Sequence, residues 1–369
     1  MSSTERFAEA SPYTKGPQEH HHTDHRHDSF LVQCGLAERF PGKVIPDDLA
    51  VLNVALFALG RAGSIHLGNI LRNPRLRLKY IVEADENKLK RVQKEWRLPD
   101  SALVTPAQDN IVFQDKSIHG IIVATPTSLH EGLVTRGLEA GKAVMCEKPI
   151  SENYEGTKRC YQVAKKMGKP LLCAFNRRFE PSYLQLHDQV QKGVIGQVHM
   201  MKTVARDSPL PSANYLRISG GIFHDCAVHD IDLVCWVSGE YPTHAFASGS
   251  AFIPEIKDLK DQDTVAIVLK FPSGAMAMID LSRNAVYGYD QRLEAFGPKG
   301  MLQAQNERPY HMVNSNVTGE HEVPINFSFP SRYYQGYENE LEHFCNIMQG
   351  LEECCVSGDN TLRIQDCTL

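Results

Sequence analysis

Residues 49–63 read LAVLNVALFALGRAG, a continuous apolar run that ends in a short turn containing glycine. A strand that is covered on both faces of a parallel sheet has this unbroken apolar character, whereas a half-exposed strand alternates. Gly60 marks the end of the run, and residues 64–72 that follow have the pattern of a helix. The stretch therefore predicts a strand, a tight turn and a helix, which is the opening unit of a parallel α/β sheet.

The same alternation of strand and helix continues as far as residue 175. Further strands are predicted at Leu78–Ala84, Gly120–Ala124, Ala143–Cys146 and Leu171–Phe175. Helices are predicted at Asn87–Trp96, Leu129–Ala140 and Asn153–Met167. Strands that alternate with helices in this way form an open parallel sheet with helices on its faces. The N-terminal part of the chain is therefore predicted to be a Rossmann-type parallel sheet in an α/β fold.

The pattern changes near residue 195, where strands follow one another with short turns between them. These strands are predicted at Gln197–Arg206, Ala245–Phe252, Thr264–Phe271, Ala275–Ser282, Arg292–Phe296 and Met301–Gln305. Helices are predicted near residues 224–237 and 333–349. Consecutive strands joined by turns such as Pro272-Ser273-Gly274 form antiparallel sheets. The C-terminal part is therefore predicted to be an α/β domain with an open, mostly antiparallel sheet.

Composition and charge exclude several classes of function. The 369 residues carry a net charge of −5, which provides no positive field to hold a nucleic acid. No apolar run approaches the ~18 residues that a membrane helix needs, so no membrane partner is expected. Several of the ten cysteines lie inside apolar runs, and the N-terminus has no apolar signal segment. These features indicate reduced thiols and a cytoplasmic location.

Residues 1–28 differ from the rest of the chain, because they are polar and contain a cluster of histidines. The cluster comprises His20, His21, His22, His25 and His27. Such a tract cannot bury enough apolar surface to offset the entropy of ordering it, which predicts a disordered extension. Weak metal binding is the other property that a histidine-rich tract can have.

The turn after the first strand has the pattern of a nucleotide-binding loop. It reads Ala58-Leu59-Gly60-Arg61-Ala62-Gly63, whereas the dinucleotide fingerprint G-x-G-x-x-G has glycine at the first position. Its glycines would let the backbone approach a pyrophosphate at the N-terminus of the helix. Asp85 lies 22 residues after Gly63, where a carboxylate accepts hydrogen bonds from ribose hydroxyls and repels a 2′-phosphate. NAD is therefore favoured over NADP, with Glu83 as the alternative carboxylate and a purely structural turn as the alternative for the segment.

Lys148 follows the predicted buried strand Ala143–Cys146, in the sequence Glu147-Lys148-Pro149. Ligands of open α/β sheets bind beyond the carboxyl ends of the strands, so this lysine would lie near a cofactor. Its ammonium group could position or polarise a substrate hydroxyl there. A surface lysine in a turn is the structural alternative.

Asp225 and His229 form the third candidate constellation, at the start of the helix predicted after Gly220-Gly221. Residues four apart lie on one face of a helix. An imidazole can accept a hydroxyl proton near neutral pH, and a carboxylate beside it can orient the ring or the substrate. The competing interpretations are a solvated charged face and a metal site built from His224, Asp225, His229 and Asp232. No second cluster of ligands is found, so no metal is predicted.

Taken together, these constellations resemble the Gfo/Idh/MocA oxidoreductase family over roughly residues 50–350. The matching motifs occur in the family's order: Gly60-Arg61-Ala62-Gly63-Ser64-Ile65-His66, Ala124-Thr125-Pro126-Thr127-Ser128-Leu129-His130, Glu147-Lys148-Pro149, Asn176-Arg177-Arg178-Phe179, Gly220-Gly221, and Asp225 with His229-Asp230. The combination of Arg206-Asp207, Tyr215 and Ser219-Gly220-Gly221 is most similar to the inositol 2-dehydrogenase branch.

The resemblance implies an NAD-dependent dehydrogenase that transfers a hydride between a hydroxyl-bearing carbon of a polyol or cyclic sugar and nicotinamide. Lys148, Asp225 and His229 would be the catalytic residues. His229 would act as the general base on a ring hydroxyl, and Lys148 would bind the same oxygen. Asp225 would bind the sugar or hold the other two residues in place.

The resemblance also implies binding residues and an organisation into domains. Cofactor-binding residues would be Gly60, Arg61, Ala62, Gly63, Asp85, Thr125, Pro126, His130 and Glu147, and candidate substrate contacts would be Arg177, Arg178 and Asp207. Residues 1–48 are expected to be an extension, 49–180 the dinucleotide-binding domain, 181–350 the substrate and oligomerisation domain, and 351–369 a short tail. A homo-oligomer, a dimer or tetramer, would form through the C-terminal sheet.

Three departures from the family pattern keep other hypotheses open. Ala58 replaces the first glycine, the N-terminal extension has no counterpart, and the chain ends at Leu369, where relatives continue into a final helix that would here be short or missing. A non-catalytic NAD-binding regulator on the same scaffold is the main alternative. A metal-dependent hydrolase that uses the His224–Asp232 cluster is the remaining one.

Overall fold

The computed structural model describes residues 50–367, apart from the side chain of Ser101. The histidine-rich extension and residues 368–369 lie outside the described residues, so the predictions for them are not addressed by the structure. No helix between residues 50 and 367 is both long enough and apolar enough to cross a bilayer.

A six-stranded parallel sheet forms the first part of the described chain. Its strands are β1 (Leu52–Phe57), β2 (Leu76–Val82), β3 (Leu103–Val104), β4 (Gly120–Val123), β5 (Ala143–Glu147) and β6 (Leu171–Ala174). They lie in the order β3-β2-β1-β4-β5-β6, and every neighbouring pair is parallel. Residues 54–57 of the central strand are at most 1% exposed, which confirms that both faces of β1 are covered. The order reverses direction between β1 and β4, where open sheets of this kind bind ligands.

The helices of this part agree with the sequence-based predictions, with ends that differ by up to three residues. They are α1 (Arg61–Arg72), α2 (Glu86–Trp96), α3 (Asn110–Gln114), α4 (His130–Glu139) and α5 (Tyr154–Met167). Local signals explain the ends of α5: the Asn153 side chain accepts a hydrogen bond from the Gly156 amide, and Gly168 ends the helix with a left-handed φ of 60°. The sequence does not predict β3 and α3, because two and five residues are too few to show a periodic pattern.

A second six-stranded sheet forms the core of the C-terminal part. Its strands are β7 (Met200–Arg206), β8 (His244–Ser250), β9 (Thr264–Lys270), β10 (Met276–Ser282), β11 (Asp290–Gly297) and β12 (Gly300–Ala304), and β13 (Val313–Asn316) and β14 (Gly319–Glu322) form a separate hairpin. The order is β12-β11-β7-β10-β9-β8. All pairs are antiparallel except β7 with β10, so the prediction of a mostly antiparallel sheet is confirmed.

The remaining helices pack between and beside the two sheets. They are α6 (Pro181–Gln191), α7 (Ala213–Leu216), α8 (Val228–Ser238), α9 (Pro254–Asp258), α10 (Phe329–Arg332), α11 (Tyr334–Met348) and α12 (Gly358–Asp366). A π-helical turn, Phe223–Ala227, leads directly into α8. Helix α11 packs on α1 beside the parallel sheet, although it follows the second sheet in sequence. The final helix, α12, is present but has only nine residues, and it packs on α5.

Candidate active site

In the turn between β1 and α1, the backbone is tightly packed at Ala58 and Gly63 and leaves space at Gly60. Ala58 has a φ of 73°, in the left-handed region where a Cβ costs about 1–2 kcal/mol. Gly63 packs against it so closely that an added Cβ would lie 2.1 Å from the Ala58 carbonyl oxygen. A Cβ on Gly60 would find only the Ala124 oxygen, at 4.0 Å. The N-terminus of α1 is therefore accessible at Gly60, as the binding of a pyrophosphate requires.

Two carboxylates follow β2, and the structure gives them different tasks. The Glu83 carboxylate accepts hydrogen bonds from the Leu59 amide at 2.7 Å and from the Asp85 amide at 3.0 Å. Asp85 is the exposed N-cap of α2, where its Oδ1 accepts from the amides of Asn87 and Lys88. The residue that lies against the glycine turn is thus Glu83, the alternative in the sequence analysis, whereas Asp85 caps a helix.

The side chain of Arg61 points away from the turn toward a segment near the C-terminus. Its Nη2 lies 3.3 Å from the Ser328 hydroxyl, and its guanidinium lies 4.3 Å from the centre of the Phe329 ring. The Arg61 side chain thus already contacts Ser328 and Phe329, and its contact with a cofactor stays a prediction. The backbone of Arg61 and Ala62 remains in the first turn of α1.

The loop after β4 and the start of α4 contain three of the predicted cofactor-binding residues. The hydroxyl of Thr125 is buried and has no hydrogen-bond partner among the described residues, and Pro126 beside it is exposed. His130 is only 1% exposed, and its ring nitrogens lie 2.7 Å from the Pro149 carbonyl oxygen and 2.8 Å from that of Thr125. Both ring nitrogens of His130 thus face backbone carbonyls, and its contact with the cofactor stays a prediction.

Glu147 closes the far side of this region. Its Oε1 lies 2.8 Å from Nε2 of His66 on α1, and 14% of its side chain remains exposed. Glu340 on α11 lies behind it, fully buried, and neither of its carboxyl oxygens has a hydrogen-bond partner among the described residues. Burial and the neighbouring charge of Glu147 hold the pKa of Glu340 well above its ordinary value. Glu340 therefore holds its proton to a higher pH than an ordinary glutamate does.

Lys148 and Asp225 come together although they lie on different parts of the chain. The Lys148 ammonium donates to the Asp225 backbone oxygen at 2.6 Å and lies 3.3 Å from its Oδ1. The two side chains are 14% and 10% exposed, so the pair is shielded but still reachable. Burial alone would raise the pKa of Asp225, but the charges of Lys148 and Arg283 outweigh it and lower that pKa below its ordinary value. Asp225 is therefore an anion that holds the lysine.

Two further residues bind Asp225, and the sequence analysis assigned neither a role. The Tyr215 hydroxyl donates to Asp225 Oδ1 at 2.7 Å, and Arg283 Nη1 donates to Oδ2 at 2.5 Å. Tyr215 entered only as part of the family resemblance. Arg283 directly follows strand β10, as Lys148 follows β5, and a cation immediately after an apolar strand is the signal that could have identified it.

His229 lies on the same helical segment as Asp225, but a change of helix type separates them. Asp225 is in the π-helical turn and His229 is in α8, so their relative direction is not that of a regular α-helix. The His229 ring meets Phe175 edge-on, and its buried Nδ1 has no hydrogen-bond partner among the described residues. Burial, Lys148 and Arg177 lower the pKa of His229 well below its ordinary value. The ring is therefore neutral at pH 7 and can accept a proton.

The two glycines before this segment adopt backbone conformations that other residues rarely reach. Gly220 and Gly221 have φ values of 81° and 87°, both in the left-handed region. A side chain at Gly221 would also approach Asp261, whose Oδ1 would lie 3.3 Å from the added Cβ. The pair therefore allows the sharp entry into the π-helical turn that places Asp225 at Lys148.

The candidate substrate contacts divide into two groups. Arg178 forms a bidentate pair with Asp232 at 2.5 and 2.9 Å and is 4% exposed, so its charge already has a partner and its contact with a substrate stays a prediction. Arg177 pairs with Asp230 at 3.2 Å and is 5% exposed, which gives its charge a structural partner as well. Asp207 lies near Asp225, and its Oδ2 is 3.4 Å from the Cys226 sulfur. Burial and the charge of Asp225 raise the pKa of Asp207.

The four side chains of the alternative metal site do not converge. Asp232 directs both oxygens to Arg178, whereas Asp225 faces Lys148, Tyr215 and Arg283. Between residues 50 and 367, no group of three or more histidine, cysteine, aspartate or glutamate side chains could hold a metal ion. The geometry therefore gives no support to a metal-dependent hydrolase.

Comparison with family models gives two adjacent matches. Residues 52–175 match the model described as the oxidoreductase family with an NAD-binding Rossmann fold. Residues 183–303 match the model described as the GFO/IDH/MocA C-terminal domain. The two matches cover the first and second sheets respectively.

Individual relatives are similar over most of their length. The myo-inositol 2-dehydrogenase of Thermotoga maritima is 34% identical over 310 residues, which cover 84% of this chain and 92% of the relative. The crystal structure of a myo-inositol dehydrogenase from Corynebacterium glutamicum superposes with a TM-score of 0.79 at 32% identity, covering 86% of this chain and 94% of that chain. A scyllo-inositol dehydrogenase from Lactobacillus casei, solved with NAD(H) and scyllo-inositol, gives 0.79 at 25% identity, with coverages of 86% and 95%.

Proposed function

This chain belongs to the GFO/IDH/MocA family of NAD-binding oxidoreductases, and we propose that it oxidises a secondary hydroxyl of an inositol-like cyclic polyol with NAD. The observation that carries the proposal is the ion pair between Lys148 and Asp225, with His229 on the adjoining helix. A shielded cation beside a neutral imidazole is the equipment that removal of a hydroxyl proton needs. The names of the relatives support a cyclic polyol as the substrate.

The side chains divide the proton chemistry between them. His229, neutral because of its lowered pKa, takes the proton of the substrate hydroxyl. Lys148 donates a hydrogen bond to the same oxygen and stabilises the charge that develops on it. Asp225 holds Lys148 in place and remains ionised while it does so. When bound, NAD accepts the hydride from the carbon that carries this oxygen, so the products are a ketone and NADH.

The open end of α1 at Gly60 would bind the pyrophosphate through backbone amides, including those of Arg61 and Ala62. The unpartnered hydroxyl of Thr125, with Pro126 beside it and Glu147 across from it, would face the nicotinamide half. We assign the ribose hydroxyls to Glu83 instead of Asp85, because Glu83 lies against the turn.

The preference for NAD over NADP, compared between variants, tests whether Glu83 or Asp85 faces the ribose. The wild-type protein is expected to prefer NAD over NADP by at least about 100-fold in kcat/KM, because a 2′-phosphate would meet the Glu83 carboxylate. Glu83→Gln removes the charge but keeps an oxygen for the Leu59 amide, so it should narrow this ratio by about tenfold. Asp85→Asn keeps a good N-cap and should leave the ratio unchanged. If Asp85→Asn narrows the ratio and Glu83→Gln leaves it unchanged, Asp85 is the residue that binds the ribose.

The reaction itself is tested by following NADH formation with myo-inositol, scyllo-inositol and a panel of aldoses. We expect turnover of at least one inositol with NAD and a ketone as the product. No NADH with any member of the panel, from protein that binds NAD, would refute the proposed activity. That result would revive the non-catalytic NAD-binding regulator, which the intact Lys148–Asp225 pair does not favour.

The second sheet offers a surface for the proposed self-association into a dimer or tetramer. Its outer face exposes Phe246, Met278 and Phe296 by 68%, 46% and 44%, and the residues on either side of Met278 and of Phe296 are buried. Exposed apolar patches of this kind mark contact surfaces. Sedimentation should therefore give a multiple of the 41.4 kDa chain, and a monomer at micromolar concentration would rule the proposal out. A reducing location such as the cytoplasm agrees with the free thiols of all nine cysteines in residues 50–367.

A further inference from the structure

Arg283 is a charged side chain with no exposure to solvent. It directly follows β10, is 0% exposed and extends beneath the π-helical turn. Its Nη1 lies 2.5 Å from Asp225 Oδ2 and 3.1 Å from the Cys226 sulfur. Its Nη2 lies 3.6 Å from Asp261 Oδ2. The guanidinium therefore occupies the side of Asp225 that faces away from Lys148.

The surroundings of this guanidinium do not satisfy its full hydrogen-bonding capacity. Its Nε and Nη2 have no hydrogen-bond partner among the described residues, and the same holds for Asp261 Oδ2. A fully buried cation with unsatisfied donors is weak evidence for stability, and apolar residues often replace a whole buried ion pair without loss. The arrangement therefore points to a role other than packing.

The two oxygens of Asp225 have separate partners. Oδ1 faces the Lys148 ammonium at 3.3 Å and accepts from the Tyr215 hydroxyl at 2.7 Å. Oδ2 is bound by Arg283. Because each oxygen is committed, the carboxylate cannot rotate about its Cβ–Cγ bond without breaking a charged hydrogen bond. The contact with Arg283 thus fixes the direction in which Oδ1 points toward the lysine.

Arg283 also connects the π-helical turn to the loop before β9. Its second carboxylate partner, Asp261, uses Oδ1 to accept from the Ile222 amide at 3.1 Å, just before the π-helical turn. The Arg283 amide donates to the Asp263 carbonyl at 2.7 Å, which holds the arginine backbone against the same loop. One side chain therefore joins the loop, the start of the turn and the carboxylate.

We propose that Arg283 is a positioning residue that holds the Asp225 carboxylate turned toward Lys148 and keeps it ionised during the reaction. The proposal rests on the proposed function, since it assigns Arg283 a part in the same site. Arg283 does not itself face the substrate, because it is completely buried behind Asp225. It acts on the lysine only through that carboxylate.

The electrostatic balance at Asp225 gives the proposal a measurable consequence. The titratable or charged groups around it are Lys148, Asp207, Tyr215, Cys226, Asp261 and Arg283. Burial raises the pKa of Asp225, and the positive charges of Lys148 and Arg283 more than offset it. Without Arg283, only Lys148 and the hydrogen bond from Tyr215 oppose burial and the charge of Asp207, so the pKa of Asp225 rises. Asp225 then takes up a proton at a higher pH and loses its hold on the lysine.

The test compares the pH dependence of kcat in wild type, Arg283→Met and Arg283→Lys. We expect the acid limb of the Arg283→Met profile to move up by about one pH unit. We also expect kcat at pH 7, where Asp225 is still ionised, to fall by about tenfold because the carboxylate no longer holds the lysine in place. Lysine keeps the charge but cannot reach both Asp225 and Asp261, so its limb should move by about half as much. If the acid limb of the kcat profile lies at the wild-type pH in both variants, the proposal is overturned. If the methionine variant does not fold, the lysine variant alone decides.

Arg75→Met is the matched control. Arg75 is also a buried arginine, 5% exposed, and it pairs with Glu342 at 2.8 Å outside the Asp225 cluster. Its replacement should lower thermal stability and leave the pH limb in place. A shift of the limb in this control equal to that of Arg283→Met would mean that the limb reports general destabilisation, and the proposal would fail.

A readout that needs no turnover separates this proposal from the proposed function. If wild type oxidises no inositol, that function fails, and thermal unfolding of Arg283→Met with and without Asp225→Asn decides the role of Arg283. A raised pKa of folded Asp225 costs stability as pH rises through the interval between the wild-type and variant pKa values, so the Tm deficit of Arg283→Met should shrink when the pH is lowered from about 5.5 to about 3.5. In the Asp225→Asn background the deficit should be the same at both pH values. If the Tm deficit of Arg283→Met is also the same at both pH values in protein that keeps Asp225, the proposal is overturned.

Discussion

Replacing Lys148 with methionine is expected to lower kcat for polyol oxidation by about 10³-fold, which is a typical loss for one general acid–base group. Methionine keeps the apolar stem but removes the ammonium that donates to the Asp225 backbone oxygen at 2.6 Å. His229→Gln should lose a similar factor, because it removes the group that accepts the proton. Since both residues act on one hydroxyl, the double variant should be no more than about tenfold below either single variant. Initial rates of NADH formation at saturating NAD and inositol measure all three.

The residual activity of Lys148→Met carries a second signature. After burial, the charge of Lys148 is the largest influence that lowers the pKa of His229. Its removal should raise that pKa, so the imidazole becomes protonated at a higher pH and the acid limb of the residual rate moves upward. Lys158→Met removes an exposed ammonium from α5 and should change neither the rate nor the limb. A Lys148→Met variant that keeps more than a tenth of kcat would contradict the assignment.

Replacing Glu340 with glutamine is expected to stabilise the protein, and the gain should grow with pH. The folded pKa of Glu340 lies well above the value of 4.5 for an ordinary glutamate, because of burial and then the charge of Glu147. A carboxyl group whose pKa is raised on folding costs stability as pH rises from its unfolded pKa to its folded pKa. The cost accumulates at about 1.4 kcal/mol per pH unit in that interval. Glutamine has the same shape and does not ionise, so it avoids this cost.

Urea unfolding of wild type and Glu340→Gln at pH 5 and pH 8 measures the effect. The two free energies of unfolding should differ little at pH 5, and the variant should be more stable at pH 8. The exposed Glu353→Gln is the control and should not show a gain that grows with pH. A variant that is less stable than wild type at pH 8 would mean that Glu340 is ionised and paired in the folded protein.

Much of the fold could be predicted because it is encoded locally. The apolar runs at residues 54–57 and 143–146 identify strands that are buried on both faces, and the structure confirms both. Helix ends such as that of α5 follow from a cap residue and a glycine that are adjacent in sequence. The pairing of β7 with β10 could not be predicted, since parallel partners separated by a long connection leave no trace in either strand.

The candidate site was predictable in its parts but not in its connections. Asp225 and Lys148 could each be selected from their positions at the ends of predicted elements, and the structure brings them into contact. The partners of the neighbouring cations could not be foreseen, because Arg178 could face either a substrate or a carboxylate until Asp232 was placed beside it. His130 is the same case, since its burial depends on two loops from different strands.

Long-range electrostatics explain the remaining differences. Glu83, and not Asp85, lies against the glycine turn, because its carboxylate accepts a hydrogen bond from the Leu59 amide across 24 positions of sequence. The charges of Lys148 and Arg283 lower the pKa of Asp225, and these residues lie 77 and 58 positions from it in the sequence. Periodicity describes which face of an element is buried, but it does not describe which charges meet across elements.

The most direct test of the central claim is an experimental structure of the wild-type protein with NADH and an inositol, a pair that cannot react and can therefore be trapped. We predict that one substrate hydroxyl lies within about 3.2 Å of both the Lys148 ammonium and a ring nitrogen of His229. The carbon that carries this hydroxyl should face C4 of the nicotinamide. An inositol whose hydroxyls contact neither residue, or only one of them, would contradict the account.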